Sequence, residues 1–334
     1  MVSKKLVSVI IVNYNGQCVL EKCVQSVFDS TYSPIEVIIV DNSPTDRSAE
    51  EVSRKYPIVL IKNNRNLGFS AGNNIGLLAA KGSYVLVLNN DAILRSDAIA
   101  KLMFESMKSP MEILQPKILL IDEPQIINST GMLIHFAGFG LLRGCGERDL
   151  GQYDCSPYVC APHGACFLAP RSVLNEIGLF DDNFFAFCED TDFGLRASLT
   201  GKKIRYIPTA VAYHKWGNAY NKTNLYAKLY LSERNRLIIL LTSFQRSTII
   251  HLLPIIVLTE FCTLLYCTTC TMIKSKIKGY TDLILMRRYL IKRRQWIQSM
   301  RQESDDYIME LLTCEFKHIH FGKANTPINA LFSL

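Results

Sequence analysis

Short apolar runs alternate with stretches of helical period through the first ninety residues. Leu6–Val12 is a β-branched run of the kind that forms a strand buried on both faces. Leu20, Cys23, Val24, Val27 and Phe28 then recur at helical spacing, and turn residues around Pro34 end that helix. Ile35–Val40 reads as a second buried strand, closed by Asp41. Asp46 opens a short helix, and Ile58–Lys62 is a third strand. Ala71–Ala80 is a helix with Gly82 just past its end, and Tyr84–Leu88 is the fourth strand. Repeated strand–helix–strand units predict an α/β fold, a mainly parallel, Rossmann-like sheet flanked by helices.

Residues 92–235 are less regular. Ser96–Met107 has helical spacing, and Pro116–Pro162 is rich in Gly, Asp and turn residues, which predicts strands and loops. A helix opens near Glu189, and Ile204–Pro208 and Val211–Tyr213 read as strands. Near Arg236 the character changes. Leu237–Ile273 is strongly apolar and a basic segment follows it. The expected division is an α/β domain at 1–235 and a helical, membrane-associated C-terminal region at 236–334.

Composition sharpens that division. The 334 residues are 49% hydrophobic, enough to bury a substantial core. The opening MVSKKLVSVIIVNYNG reads as a first strand rather than a signal peptide, because its apolar stretch is short and lacks a small-residue cleavage site. Eleven scattered cysteines, with one C-x-x-C at Cys267–Cys270 and no second pair, point to reduced thiols rather than a zinc site. The net charge of +7 is local: Lys274–Arg301 holds nine Lys or Arg against Asp282 alone. A basic segment beside an apolar one fits an anionic membrane surface. Nucleic acid is disfavoured, since no binding motif is present and the basic residues are interleaved with Leu, Ile and Met. Ser247–Ile273 is long enough to span a bilayer, for which about 20 apolar residues suffice. Glu260 near its middle would cost about 2.5–3.5 kcal/mol in a span, and basic residues lie on both flanks. Helices lying in the interface on the cytoplasmic face are the favoured reading.

In open parallel sheets, ligands sit at the carboxyl ends of the strands. Here those ends carry Asn13-Tyr14-Asn15-Gly16, Asp41-Asn42-Ser43, Asn66 before LGFSAGNN, and Asn89-Asn90-Asp91. Each alone is ordinary turn chemistry; four together favour a nucleotide site. No G-x-G-x-x-G or Walker A sequence is present, which excludes dinucleotide and P-loop sites. A second cluster, FCEDTDFGLR, sets Glu189, Asp190 and Asp192 at a helix start. There the macrodipole favours acids by about 0.3–1 kcal/mol each, and Asp192 could simply pair with Arg196. A carboxylate held ionised in that place is also a general base. His214, just past a strand, is a metal-ligand candidate alongside Asp91.

The order VSVIIVNYNG, IEVIIVDNS, NLGFSAGNN, YVLVLNND, GACFLAPR, GLFDDNFFAFCEDTDFGLR and AVAYH resembles glycosyltransferase family 2, in particular its rhamnosyltransferase-like branch that builds surface polysaccharides. The resemblance covers about residues 6–235. It implies a GT-A fold, an inverting transfer from a nucleotide-diphosphate sugar to a saccharide or lipid-linked saccharide acceptor, and a bound Mg²⁺ or Mn²⁺. By the same resemblance Asp41 holds the nucleotide base, and Asn13 and Tyr14 belong to the first nucleotide-contact segment. Asp91 and His214 hold the metal on the diphosphate, and Asp190 is the base, with Glu189 and Asp192 beside it. Gly164 and Ala165 are the small residues that let backbone approach the donor sugar. The D-x-D position reads Asn89-Asn90-Asp91, so one carboxylate of that motif is missing. Asn90 can still hydrogen-bond a ribose or sugar hydroxyl.

The chemistry needs this pattern. Breaking a sugar–phosphate bond builds negative charge on the leaving diphosphate, which a cation held by hard oxygens neutralises. The acceptor hydroxyl must lose a proton on the opposite face, which calls for a separate carboxylate. Two alternatives stand beside this reading. A nucleotidyltransferase of similar fold would carry a cationic Gly-rich loop after the first strand. A non-catalytic sugar-nucleotide-binding protein is favoured only by the missing carboxylate.

Overall fold

The computed structural model describes residues 4–17, 19–215, 225–269 and 272–314. The chain opens with β1 (Val7–Asn13), α1 (Leu20–Phe28), β2 (Ile35–Asp41), α2 (Ser48–Lys55), β3 (Val59–Lys62), α3 (Gly68–Ala79) and β4 (Tyr84–Asn89), the alternation that the apolar pattern predicts. All seven residues of β1 are buried. Side chains alternate across a strand, so Val7, Val9 and Ile11 enter one core layer with Leu86 and Leu88, while Ile10 enters the other with Ile38, Val40 and Val87. α3 lies close on β1 because Gly72 and Gly76 offer no side chain. A Cβ at Gly76 would stand 2.4 Å from Ile10 Cγ2.

Next come β5 (Ala92–Leu94), α4 (Ala98–Lys108), β6 (Ile113–Leu120), β7 (Ile127–Ser129), β8 (Met132–Ile134), β9 (Gly140–Leu142) and β10 (Tyr158–Val159). After them lie β11 (Cys166–Pro170), α5 (Arg171–Ile177), a 3-10 turn at Asp182–Phe184, α6 (Glu189–Leu199) and β12 (Ile204–His214). The main sheet runs β10-β12-β6-β11-β4-β1-β2-β3, with β5 added to β12 and β7 to β6. It is parallel from β4 through β3, and β11 enters antiparallel between β4 and β6. The mixed sheet, flanked by helices, carries the carboxyl ends of β1, β2 and β4 on one edge. The two strands expected at 204–213 are one, with a register shift between Ile207 and Val211. Pro208 has no N–H for the ladder, so the strand bulges there and continues.

The C-terminal helices are α7 (Leu225–Ser243), α8 (Arg246–Thr269), α9 (Ile273–Leu285), α10 (Arg287–Met300) and α11 (Asp305–Leu311). α7 runs unbroken through residues 235 and 236, where the sequence suggests a boundary. Its Leu237–Leu240 share a core with Leu195 and Leu199 of α6, Ile297 of α10 and Ile308 of α11. α8 is the one helix among the described residues long and apolar enough to cross a membrane, and 11% of its most apolar window is buried. Leu252, Thr259 and Cys267 face inward, whereas Ile250, Leu253, Val257, Leu258, Phe261 and Leu265 face outward. Glu260 is not a bare charge in an apolar helix. Arg236, Lys276 (2.8 Å) and the Tyr280 hydroxyl (2.6 Å) all meet its carboxylate.

The basic segment differs from the expected free surface. Lys276 is fully buried between Glu233 and Glu260, and Arg293 is buried between Asp181 and Asp192. Arg301 pairs with Asp305. Lys274, Arg287, Arg288 and Lys292 remain exposed. Part of the positive charge therefore joins helices to the body. Cys270 lies outside the described residues, so the C-x-x-C pair is not described.

Candidate active site

The ends of β1 and β2 meet through side chains. Asn13, fully buried, donates from Nδ2 to Asp41 Oδ1 (3.0 Å) and Ser48 Oγ (3.2 Å). Its own Oδ1 accepts from Asn90 Nδ2 (3.1 Å), which ties the end of β1 to the turn after β4. Asp41 Oδ1 also accepts from Ser43 N (3.1 Å), but Asp41 Oδ2 is buried without a protein partner. Burial raises the Asp41 carboxyl above the ordinary range, against the donation from Asn13. A buried acceptor of this kind asks for a donor from a ligand. Tyr14 stands half-exposed beside it. Asn66 serves the backbone instead: its Oδ1 accepts from Gly68 N (2.8 Å) and closes the loop into α3.

Asp91 and His214 come together although 123 positions separate them, because β12 pairs with β5 just after the Asn-Asn-Asp turn. His214 Nε2 is 3.2 Å from Asp91 Oδ1. The ring lies between two asparagine side chains. Asn128 Oδ1, which can only accept, is 3.0 Å from Nδ1, and Asn89 Nδ2, which can only donate, is 3.3 Å from Nε2. The Asn128 amide thus orients the ring from behind, and the Nε2 edge faces a carboxylate oxygen. Two such groups converging on one space fit a divalent cation, and an amide in that place is the usual support for a metal-ligating His. Among the described residues there is no group of three or more His, Cys, Asp or Glu that could hold a metal. The pair supplies two donors, and a Mg²⁺ or Mn²⁺ here would complete its shell with diphosphate oxygens and water. His163 lies edge-on to His214, with centroids 5.7 Å apart. Burial and the neighbouring His214 push its pKa down to about 3, so it stays neutral.

Gly164 and Ala165 link this pair to the acidic cluster. Asn89 N donates to Ala165 O (2.9 Å), and Gly164 N donates to Asp190 Oδ2 (3.2 Å). A Cβ on Gly164 would lie 3.5 Å from the same oxygen. Asp190 Oδ1 accepts from Thr191 N (2.7 Å). Burial raises the Asp190 carboxyl, opposed by these two backbone donors. Glu189, beside it, is buried with Oε2 unpartnered, and burial together with the Asp190 charge pushes its carboxyl well above the ordinary value. Asp192 is not at the site. It is fully buried, held by Arg196 Nε (2.8 Å) and by Arg293, so its role is to fasten α6 and α10.

The acids are delivered by a strained turn. Phe185 (φ 63°), Phe187 (φ 69°) and Cys188 (φ 62°) all adopt left-handed backbone without being glycine. Such residues cost about 1–3 kcal/mol each and persist only where the surroundings enforce them. Part of the enforcement comes from α3: Ser70 N donates to Phe185 O (3.1 Å), and Gly68 (φ 87°) leaves the room, since a Cβ there would meet Phe185 O at 2.4 Å. Sequence reasoning missed Asn89, Asn128 and His163 as neighbours of His214. Asn89 lay in view within the Asn-Asn-Asp turn. Asn128 came from a stretch read only as strands and loops, and nothing local marks it.

The model of glycosyl transferase family 2 matches residues 8–178. Among curated proteins, the chain is similar to the low-salt glycan biosynthesis hexosyltransferase Agl10 of Haloferax volcanii, with 27% identity over 247 residues, 72% of this chain and 77% of that one. It is also similar to N-acetylglucosaminyl-diphospho-decaprenol L-rhamnosyltransferase of Mycobacterium tuberculosis, with 25% identity over 236 residues, 62% of this chain and 75% of that one. Among solved structures, GalNAc-T7 with UDP, GalNAc and Mn²⁺ superposes with a TM-score of 0.59 at 17% identity, over 73% of this chain and about half (49%) of that one. Residues 1–349 of S. aureus TarS superpose with a TM-score of 0.51 at 15% identity, over 72% of this chain and 66% of that one. These structural likenesses concern the GT-A fold.

Proposed function

Since the chain belongs to glycosyl transferase family 2, we propose that it moves one sugar, with inversion, from a nucleotide-diphosphate sugar to a lipid-linked saccharide at the cytoplasmic face of a membrane. The observation that carries the reading is the bridge at Gly164–Ala165, which ties the Asp91–His214 pair to the Asp190 carboxylate through adjacent backbone groups.

In this reading the Asp41 Oδ2 acceptor takes a hydrogen bond from the nucleotide base, and Asn13, Tyr14 and Asn90 line the nucleoside. Asp91 and His214 hold the diphosphate end. A divalent cation bound there would neutralise the charge that develops on the leaving diphosphate. The Asp190 carboxylate takes the proton of the acceptor hydroxyl as its oxygen bonds to the sugar carbon. The bond from that carbon to the diphosphate oxygen breaks, and its electron pair leaves with the diphosphate. Gly164 N and Thr191 N orient the carboxylate. Burial and the Asp190 charge push the Glu189 carboxyl well above the ordinary value, which disfavours a second negative charge beside Asp190.

Two relatives support the finer points. The name of the mycobacterial enzyme specifies a diphospho-decaprenol acceptor, and the GalNAc-T7 structure contains Mn²⁺ with UDP. The outward apolar face of α8 and the exposed Lys274, Arg287, Arg288 and Lys292 suit a protein seated on an anionic surface where such an acceptor resides. The ion pairs of Glu260 to α7 and α9 favour a helix lying against the body over one that leaves it to span the bilayer.

The test is a melting-temperature panel of UDP-, GDP- and dTDP-sugars, with Mn²⁺ or with EDTA. A ligand that binds the native state at 100 times its Kd stabilises it by about 2.7 kcal/mol. At least one nucleotide sugar should raise Tm with Mn²⁺, and EDTA should remove that gain. No stabilisation by any member, or equal gains in EDTA, would contradict the donor site or its metal respectively.

A further inference from the structure

We propose that Asn235 is a positioning residue for the base: its buried side-chain amide holds the left-handed turn that sets Asp190 in place. The inference rests on the reading of Asp190 as the base. Asn235 lies on α7, beyond the stretch that the family model matches, and is fully buried.

Its Nδ2 reaches three carbonyls of the turn, Phe184 O (3.0 Å), Ala186 O (3.1 Å) and Phe187 O (2.8 Å). Its Oδ1 accepts from Arg234 Nε (3.0 Å) and the Arg234 terminal nitrogen Nη2 (2.9 Å), which fixes the amide one way round. The same Arg234 nitrogen donates to Asn183 O (2.7 Å), and Nη1 donates to the Tyr230 hydroxyl (3.0 Å). Only an amide presents an oxygen to the guanidinium and N–H groups to the carbonyls from one short side chain. A carboxylate would set anionic oxygen against the carbonyl oxygens, and an alkyl side chain would take away the amide donor that the three carbonyls share.

The turn is rigid only while it is held. Phe185, at φ 63°, closes a three-residue turn through Ala186 N to Phe184 O (2.7 Å), and Phe187 and Cys188 follow in left-handed backbone. Cys188 O then accepts from Asp192 N (2.9 Å), the first hydrogen bond of α6. Asp190 stands between them. Loss of the Asn235 amide removes its bond to the Phe187 carbonyl, three places before Asp190, and loosens the start of that helix. The carboxylate then drifts from Gly164 N, the donor that both aims it and favours its ionised form. Arg234 and Asn235 thus act on the carboxylate through the turn and not by touching it.

The experiment uses the full chain, Mn²⁺ and the nucleotide sugar that gives the largest melting shift. It compares kcat, donor KM, the pH profile of kcat and Tm for wild type, Asn235→Ala, Asn235→Asp, Arg234→Lys and Thr242→Val. Thr242 is fully buried on the same helix, donates to Ile238 O (2.7 Å) and does not touch the turn. Displacement by about 1 Å can cost about 100-fold in rate. The Asn235 variants should lose about tenfold or more in kcat with donor KM within about twofold, and the acid limb of the profile should move to higher pH. Arg234→Lys, which keeps the Asn235 amide but frees its orientation, should show the same shift at smaller size, and it decides the matter if both Asn235 variants fail to fold. Thr242→Val should lower Tm with the profile unmoved. Wild-type kcat and profile in the folded variants at 234 and 235, or losses that follow Tm alone as in Thr242→Val, would overturn the inference. Wild-type turnover in Asp190→Asn would instead remove the base reading itself.

Discussion

Glu189 and Asp190 are neighbours with raised carboxyl pKa values, one with an unmet oxygen and one with two backbone donors. The raised value has opposite consequences for rate and stability. A base works ionised, so the acid limb of kcat should lie above the ordinary carboxylate range near 4. For stability, a carboxyl raised in the folded state favours folding while protonated. That contribution is complete below the unfolded pKa, near 4.3 for Glu, and is lost as pH rises through the folded value. Glu189→Gln removes the loss, so its Tm advantage over wild type should grow between pH 5 and pH 8. A difference that stays flat across that range would show that the folded Glu189 carboxyl is not raised. At this scale the motif order singles out Asp41, Asp91, Asp190 and His214, since each lies at the end of a strand or opens a helix. The spacing allowed the Asp192–Arg196 pair but did not reveal the second partner of Asp192, because Arg293 arrives from 101 residues away. Nor did it reveal Asn128 or Asn235, whose partners lie 86 and about 50 positions off.

α7 is the element on which α6 and the C-terminal helices meet. Its Glu233 and Arg236, with Glu260 of α8 and Lys276 of α9, form a buried group of two acids and two bases, and Arg236 also donates to Ala137 O (3.0 Å). Removal of one partner from a buried pair costs about 3–5 kcal/mol. Lys276→Met should sit near the lower end, about 3 kcal/mol, because Arg236 still meets both carboxylates; denaturant unfolding measures it. An unchanged midpoint would mean that these charges do not hold α8 to the body. The strands and helices of the first ninety residues were legible because both layers of the sheet are apolar and the period is plain in β1, β2 and β4. The antiparallel entry of β11 was not, since CFLAP carries no sign of its direction. The Glu260 charge, which read as an obstacle in an apolar helix, is inward-facing and paired, and only the tertiary structure supplies those partners.

At the scale of the molecule, the proposed means of attachment to a membrane are the apolar outer face of α8 and a reduced set of exposed bases. Each Lys or Arg near an anionic surface contributes about 1 kcal/mol, and salt screens that part alone. Deletion of the C-terminal region would also strip Arg293 from Asp192 and leave the core of α7 open, so substitution on the surface is the cleaner probe. Leu253→Ser, Val257→Ser and Phe261→Ser together should abolish co-sedimentation with anionic vesicles and leave Tm nearly unchanged, whereas salt alone should release the wild type in part. Retained binding in the triple variant would place the contact elsewhere. The central claim is that Asp190 removes the acceptor's proton during sugar transfer from a nucleotide donor held at Asp91 and His214. Its most direct measurement is the transfer of labelled sugar into lipid-extractable product by wild type and Asp190→Asn, with Mn²⁺ and at matched donor occupancy. The account predicts a loss of about 100-fold or more in turnover with donor affinity kept. Turnover in Asp190→Asn at the wild-type rate would contradict it.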